Sequence, residues 1–267
     1  MNKWLILFLA LLGLLGLKFS YSKRSDCFSP DFAKSDLSFQ LGSDPLSPEI
    51  SAVLQQSFHF LGSGNQAYAF ESKDQNYVLK LFKFHCLKNL HAKSERLKQG
   101  LLIANSFNKE HSGIIYLHFP PTPAASVHLQ DKAGRKHVLP LDDYVFVLQE
   151  KARTLGDILK EKLKAADRVG AKEKLGALFR MLREDLNQGI YDRDHNVIAN
   201  TGFVKDKPIR IDFGKLALVQ EINVQRELKK IAEERILPWT KKNFPQFEHD
   251  IAQYLEDIRT CLKSSTE

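Results

Sequence analysis

Cysteine is nearly absent. The chain of 267 residues carries only Cys27, Cys86 and Cys261. An odd number at wide spacing excludes a disulfide-stapled scaffold and any CxxC metal knuckle. Glycine and proline are sparse too, at 14 and 10 residues, so no collagen-like or low-complexity tract is present. There is no internal repeat. The net charge is +7. A basic balance of that size suits nucleic acid, an anionic membrane or a phosphorylated ligand, and alone it decides nothing. With no aromatic–basic run and no zinc spacing, nucleic acid is not expected as a partner. What is present is a globular composition, 43% apolar and 27% charged, sufficient to bury a core.

Only one long apolar run occurs, Trp4–Leu17 (WLILFLALLGLLGL), after Lys3 and before Lys18, Lys23 and Arg24. It has no polar residue at helical spacing, so it does not read as a soluble core helix. It is short for a spanning helix, which needs about 17–25 residues, and suits the apolar region of a signal peptide. Residues 1–22 are therefore expected to form a hydrophobic helix that serves as a signal peptide or membrane anchor. The chain would then be membrane-associated through residues 4–17, or exported. The flanking charges are nearly balanced and leave the side of the membrane open. Residues 23–50, rich in Ser, Asp, Pro and Lys, read as a tether.

The globular part divides near residue 150. Pro48 opens a short helix. FHFLGSGNQAYAFES and YVLKLFKF then alternate around a KDQN turn, which predicts a β-hairpin. A helix is expected over 87–107 and a strand over 114–119. A second hairpin turns at Asp131–Arg135, and an apolar strand covers 144–150. Beyond it the pattern is mostly helical: from Thr154, over about 171–187, about 220–236, and about 243–262 after a break at Pro238-Trp239. Two short strands bracket the turn KDK near residue 206. The organisation is α+β in two lobes, 51–150 and 151–267.

Four features that bear on chemistry fall in one order. Gly62-Ser63-Gly64 lies at a hairpin tip, where unhindered backbone can approach phosphates. Lys80 follows on the return strand, on the face shared by Val78 and Phe82. An ammonium in such an apolar strand is costly to bury without an anionic partner. Lys83 lies close enough to compete, but its spacing from the glycine turn favours Lys80. Glu95 comes next, on the following helix. Last is Tyr191-Asp192-Arg193-Asp194-His195-Asn196-Val197-Ile198-Ala199-Asn200, and after one strand turn Ile211-Asp212-Phe213-Gly214. Carboxylate and carboxamide oxygens at loop ends suit hard cations. Each feature alone is compatible with a plain turn or a solvated helix face; their common order argues against coincidence.

Together these motifs resemble the protein-kinase-like phosphotransferase superfamily over about residues 55–216. The resemblance implies a two-lobed fold, with an antiparallel N-lobe sheet of about five strands carrying one helix and a small helical C-lobe. It also implies ATP and Mg²⁺ as cofactors. Gly62, Ser63 and Gly64 would cover the phosphates. Lys80 would hold them and pair with Glu95. Backbone groups at Gln149, Glu150 and Lys151 would meet the adenine. Asp194 would accept the proton of a hydroxyl acceptor, whether protein, sugar or lipid headgroup, and Asn200 and Asp212 would ligate Mg²⁺.

The pattern departs from the family in three places. The loop reads Asp192-Arg193-Asp194 where the family has His-Arg-Asp, and Asn200 comes one residue late, so Asp192 as the carboxylate and Asn196 as the ligand stay open. Ala67 stands at the third glycine. Only 53 residues follow Gly214 and no Ala-Pro-Glu motif occurs, which resembles the small-molecule and lipopolysaccharide-sugar kinases of the superfamily. The alternative is a membrane-associated pseudokinase acting as a binding module.

Overall fold

The computed structural model describes residues 28–34, 41, 43–83, 90–106 and 108–264, with the side chains of 90–93 and 262–264 outside the description. Two compact units divide the chain: residues 1–90 with 116–148, and residues 91–115 with 149–267.

The first unit is built on a seven-stranded sheet. Its strands are β1 (Ser57–Ser63), β2 (Ala67–Ser72), β3 (Tyr77–Phe82), β4 (Ile114–His118), β5 (Ser126–Gln130), β6 (Lys136–Pro140) and β7 (Phe146–Glu150), in the order β4-β7-β3-β2-β1-β5-β6. The turn after β2 closes as its residue types dictate. Asp74 Oδ1 accepts from the Asn76 N–H at 3.0 Å and the Ser72 hydroxyl at 2.6 Å, and Gln75 takes φ 62°. Period-two alternation places Phe58, Tyr68, Phe70, Leu79 and Leu81 in one buried cluster with Tyr116, Leu129 and Phe146.

Three expectations for this unit need correcting. The sheet has seven strands where about five were expected, and it is not wholly antiparallel, because β5 runs parallel to β1 with Phe58 beside Leu129. The alternation shows both arms of the hairpin β5–β6. It does not show that the connection after β4 carries this hairpin to the far edge of the sheet, beside β1. The segment read as a tether also contributes to the core. Phe28 is 4% exposed and meets Tyr68 and Phe70 edge-on, with ring centroids 5.1 and 5.0 Å away. Phe28, Phe32 and Phe39 lie scattered among polar residues, which left no sustained periodicity from which to read this.

The membrane placement is also corrected. Among the described residues, no helix is long and apolar enough to cross a membrane. The expected helix over 4–17 lies outside the described residues.

The second unit is mainly helical. Helices Leu155–Lys164, Arg168–Asn187, Val224–Ile231 and Glu248–Ser264 surround a core that includes Leu175, Leu178, Phe179, Leu182, Leu228 and Ile251. The Thr154 hydroxyl accepts from the Asp157 N–H at 3.1 Å, and Asp167 Oδ1 from the Gly170 N–H at 2.8 Å, capping the first two. Short strands β8 (Arg153–Thr154), β9 (Ile190–Asp192), β10 (Thr201–Val204), β11 (Lys207–Arg210) and β12 (Leu216–Leu218) form two small sheets, β11-β10-β8 and β12-β9. The expected break at Pro238-Trp239 is absent. Helical structure runs on to Asn243 through a π-helical turn at Ala232–Ile236. Proline clashes with the carbonyl four residues earlier, and a wider turn just before it relieves that clash.

Candidate active site

In the first unit, β1 bulges at Leu61. Phe60 pairs with Phe70, but Gly62 pairs with Ala69, so one residue is extra. The bulge brings the chain into the Gly62–Gly64 turn. A Cβ at Gly62 would meet no heavy atom within 4 Å, and one at Gly64 only the Ala67 carbonyl oxygen at 4.0 Å. Neither glycine has the positive φ that would require it. The chain's own packing therefore does not demand glycine here, and the backbone lies open to a close approach from outside. Lys80 sits on β3 opposite Ala69, half-buried, on the strand face away from Leu79 and Leu81.

In the second unit, the loop after β9 and the segment after β11 are fastened together. The Ile211 N–H donates to the Asn200 carbonyl at 2.7 Å, and the Arg193 N–H to the Lys215 carbonyl at 3.2 Å; Leu216 then pairs with Asp192. Asp212-Phe213-Gly214 is thus held at both ends against the loop that carries Asp194. The Asp212 side chain is exposed, and its Oδ1 accepts from the Gly214 N–H at 3.1 Å. Asp194 Oδ2 accepts from Asn200 Nδ2 at 3.3 Å and Lys215 Nζ at 3.0 Å. The extra residue between Asp194 and Asn200 is taken up in a single helical turn, Val197–Asn200, which the Asn196 carbonyl opens by accepting from the Asn200 N–H at 2.8 Å. Asn200 therefore still reaches Asp194.

Asp192 is placed differently. Its Oδ1 accepts from the Asp194 N–H at 2.9 Å and its Oδ2 from Arg210 Nη1 at 3.3 Å, with the side chain 13% exposed. Both oxygens brace the loop. His195 is buried at φ 52°, and burial, followed by the charge of Lys230, lowers its imidazole below the usual value. Its Nε2 lies 3.3 Å from Glu227 Oε2 but is not aligned for a hydrogen bond.

Beneath this loop lies a charged group that the motifs did not reveal. Arg210 Nε donates to Asp185 Oδ2 at 2.8 Å, with side chains 3% and 0% exposed, and His111 Nδ1 lies 2.7 Å from Asp185 Oδ1. Burial alone would raise the Asp185 carboxyl, but Arg210 and His111 outweigh it and hold it below the ordinary value. A signal was present in the sequence: Asp185 falls on the buried stripe of its helix with Leu178, Met181 and Leu182, where an unpaired carboxylate would be costly.

The remaining expected residues also belong to the second unit. Gln149 is buried, and its amide donates to the carbonyls of Ser112 and Arg210 at 2.5 and 2.7 Å. The Glu150 N–H donates to Gly113 at 2.9 Å. That donor is engaged within the unit, as the Gln149 side chain is, while Lys151 is half-buried in the loop after β7. Glu95 is half-buried on the helix Leu90–Ser106. The same helix packs directly on Asp-Phe-Gly, since a Cβ at Gly100 would collide with the Phe213 carbonyl oxygen. Lys80 and Glu95, expected as a pair, lie in different units.

No family model and no curated protein matches the chain. Similar solved structures include a co-crystal of WbdD with the kinase inhibitor LY294002, at 19% identity and TM-score 0.39, covering 75% of this chain and 45% of that one. Another is the bifunctional kinase-methyltransferase WbdD, at 16% identity and TM-score 0.37, covering 73% and 43%. The chain thus spans under half the length of these proteins. Likeness at this level carries no conclusion about activity, which rests on the residues themselves.

Proposed function

We propose that the chain is an ATP- and Mg²⁺-dependent phosphotransferase of the protein-kinase-like kind, acting on a hydroxyl acceptor. The observation that supports this best is the fastening of Asp212-Phe213-Gly214 to the loop in which Asn200 and Lys215 converge on Asp194 Oδ2. Among the described residues no group of three or more His, Cys, Asp or Glu could hold a metal by itself. Mg²⁺ does not require one, because it takes one or two protein oxygens and completes its shell with phosphates and water. Asp212 and Asn200 fit that demand. Bound there, Mg²⁺ supplies neutralisation of the phosphoryl charge.

The chain's residues then have separable roles. The open backbone at Gly62–Gly64 and the Lys80 ammonium receive the phosphates. Asp194 orients the acceptor hydroxyl and takes its proton as the acceptor oxygen bonds to the γ-phosphorus and the bond to ADP breaks. Lys215 and Asn200 hold the Asp194 carboxylate in one orientation. Asp192 is a positioning residue, since its oxygens are engaged by the loop and Arg210.

The test compares Asp194→Ala with Asp192→Ala by ADP formation and ATP affinity. Asp194→Ala is expected to lower kcat by about 10²–10⁴-fold, the range for a lost general base, with ATP affinity unchanged. Asp192→Ala should lose less turnover and more thermal stability. The reverse ranking would make Asp192 the working carboxylate.

A further inference from the structure

The glycine turn is fastened from below by a lysine to which no role has yet been given. Along β3 the side chains of Leu79 and Leu81 enter the core, and Lys83, two residues on, continues that face; Lys80 is on the other. Lys83 is 5% exposed. Its Nζ donates to the Ser63 hydroxyl at 2.6 Å and to the Gly64 carbonyl at 2.7 Å, and it lies 4.2 Å from the centroid of the Tyr68 ring. Its backbone N–H donates to the Gln66 carbonyl at 2.8 Å. Main chain and side chain of one residue thus hold both sides of the turn.

The Gly64 contact has a consequence for ligand binding. A trans peptide is planar, and its C=O and N–H point in opposite directions. With the Gly64 carbonyl drawn inward onto a buried ammonium, the N–H of Asn65 in the same peptide is directed outward. Because the Ser63 hydroxyl turns toward Lys83, alternation turns Gly62 and Gly64 to the opposite, outward side, where Cβ atoms would find space. Without the ammonium the peptide could rotate, and an outward carbonyl would repel phosphate oxygens where an outward N–H attracts them. The buried positive charge adds attraction of the same sign and is only weakly screened by salt.

We propose that Lys83 is a positioning residue for the nucleotide phosphates: it locks the Gly64–Asn65 peptide with its N–H facing the ligand. The inference rests on the phosphotransferase reading above and assigns a second lysine to the same site, with a role distinct from that of Lys80.

The experiment measures affinity of the full chain for ATP and for adenosine, in the wild type and in Lys83→Met. Loss of the lock should weaken ATP by about tenfold or more and leave adenosine within about twofold, because only the phosphates meet the turn. A purely structural lysine would change both alike or neither, and either result overturns the inference. Where Lys83→Met does not fold, Lys83→Gln keeps a neutral donor for one acceptor. It should show a smaller loss, again confined to ATP; equal changes for both ligands overturn the inference here as well. If the wild type binds adenosine but gains nothing from the phosphates, the lock is refuted while a nucleoside site remains. If it binds neither, the phosphotransferase reading itself fails and the lock fails with it.

Discussion

Asp212→Asn is expected to lower ADP formation by at least about 10²–10³-fold, the cost of removing one charge-stabilising group from a transition state, with little change in stability. The side chain is exposed, and its one described hydrogen bond is accepted by Oδ1 from the Gly214 N–H at 3.1 Å. Asparagine keeps an acceptor oxygen for that bond and loses only the charge. An exposed substitution of this kind shifts stability by about 0.5 kcal/mol or less. Urea denaturation beside the turnover assay separates the two effects. Full activity in a folded Asp212→Asn protein would remove Asp212 from metal binding.

The second large effect concerns stability. Arg210→Met should destabilise the protein by about 3–5 kcal/mol, because it leaves the fully buried Asp185 carboxylate without its guanidinium. His111, 2.7 Å from the other oxygen, compensates in part, which favours the lower end. The double variant Arg210→Met with Asp185→Leu should recover much of the loss, since an apolar pair needs no charge compensation. The denaturant midpoints of the three proteins check this. A single variant within about 0.5 kcal/mol of the wild type would show that the pair carries little of the stability. The sign with pH follows from the depressed Asp185 carboxyl. Its contribution is present above the ordinary carboxylate range and is lost as pH falls through the lowered folded value.

Local chemistry was legible in the sequence, and long-range pairing was not. The hairpin β1–β2–β3 follows from alternation and from Asp74 in its turn, both properties of neighbouring residues. The helix cap at Thr154 is equally local, whereas the next helix starts at Arg168 under an Asp167 cap, a few residues before the expected start near 171. By contrast, the parallel pairing of β5 with β1 joins residues some 70 positions apart (Ser57 beside His128), and no local pattern encodes it. The Asp185–Arg210–His111 group depends on three separate elements meeting, although the misplaced carboxylate on an apolar stripe hinted at it. Pro238 misled for a physical reason, because the π-helical turn before it removes the clash that normally ends a helix. Within the site, spacing alone left Asp192 and Asp194 equivalent. Their hydrogen bonds differ: both oxygens of Asp192 are engaged, by the Asp194 N–H and by Arg210, while Asp194 accepts from Asn200 and Lys215 through Oδ2. Spacing from the glycine turn favours Lys80 over Lys83, but the two lysines, three residues apart, fall on opposite faces of the strand, and only the structure shows Lys83 Nζ bonded to Ser63 and Gly64.

The most direct test of the central claim is a thermal-unfolding titration of the full chain with ATP, with and without Mg²⁺, in the wild type and in Asp212→Asn. A ligand held at about 100 times its Kd stabilises the native state by about 2.7 kcal/mol. The wild type is expected to show a stabilisation of that size that depends on Mg²⁺, and Asp212→Asn to lose the Mg²⁺-dependent part. Absence of any shift at millimolar ATP with Mg²⁺ would contradict the assignment of the chain as an ATP- and Mg²⁺-dependent phosphotransferase.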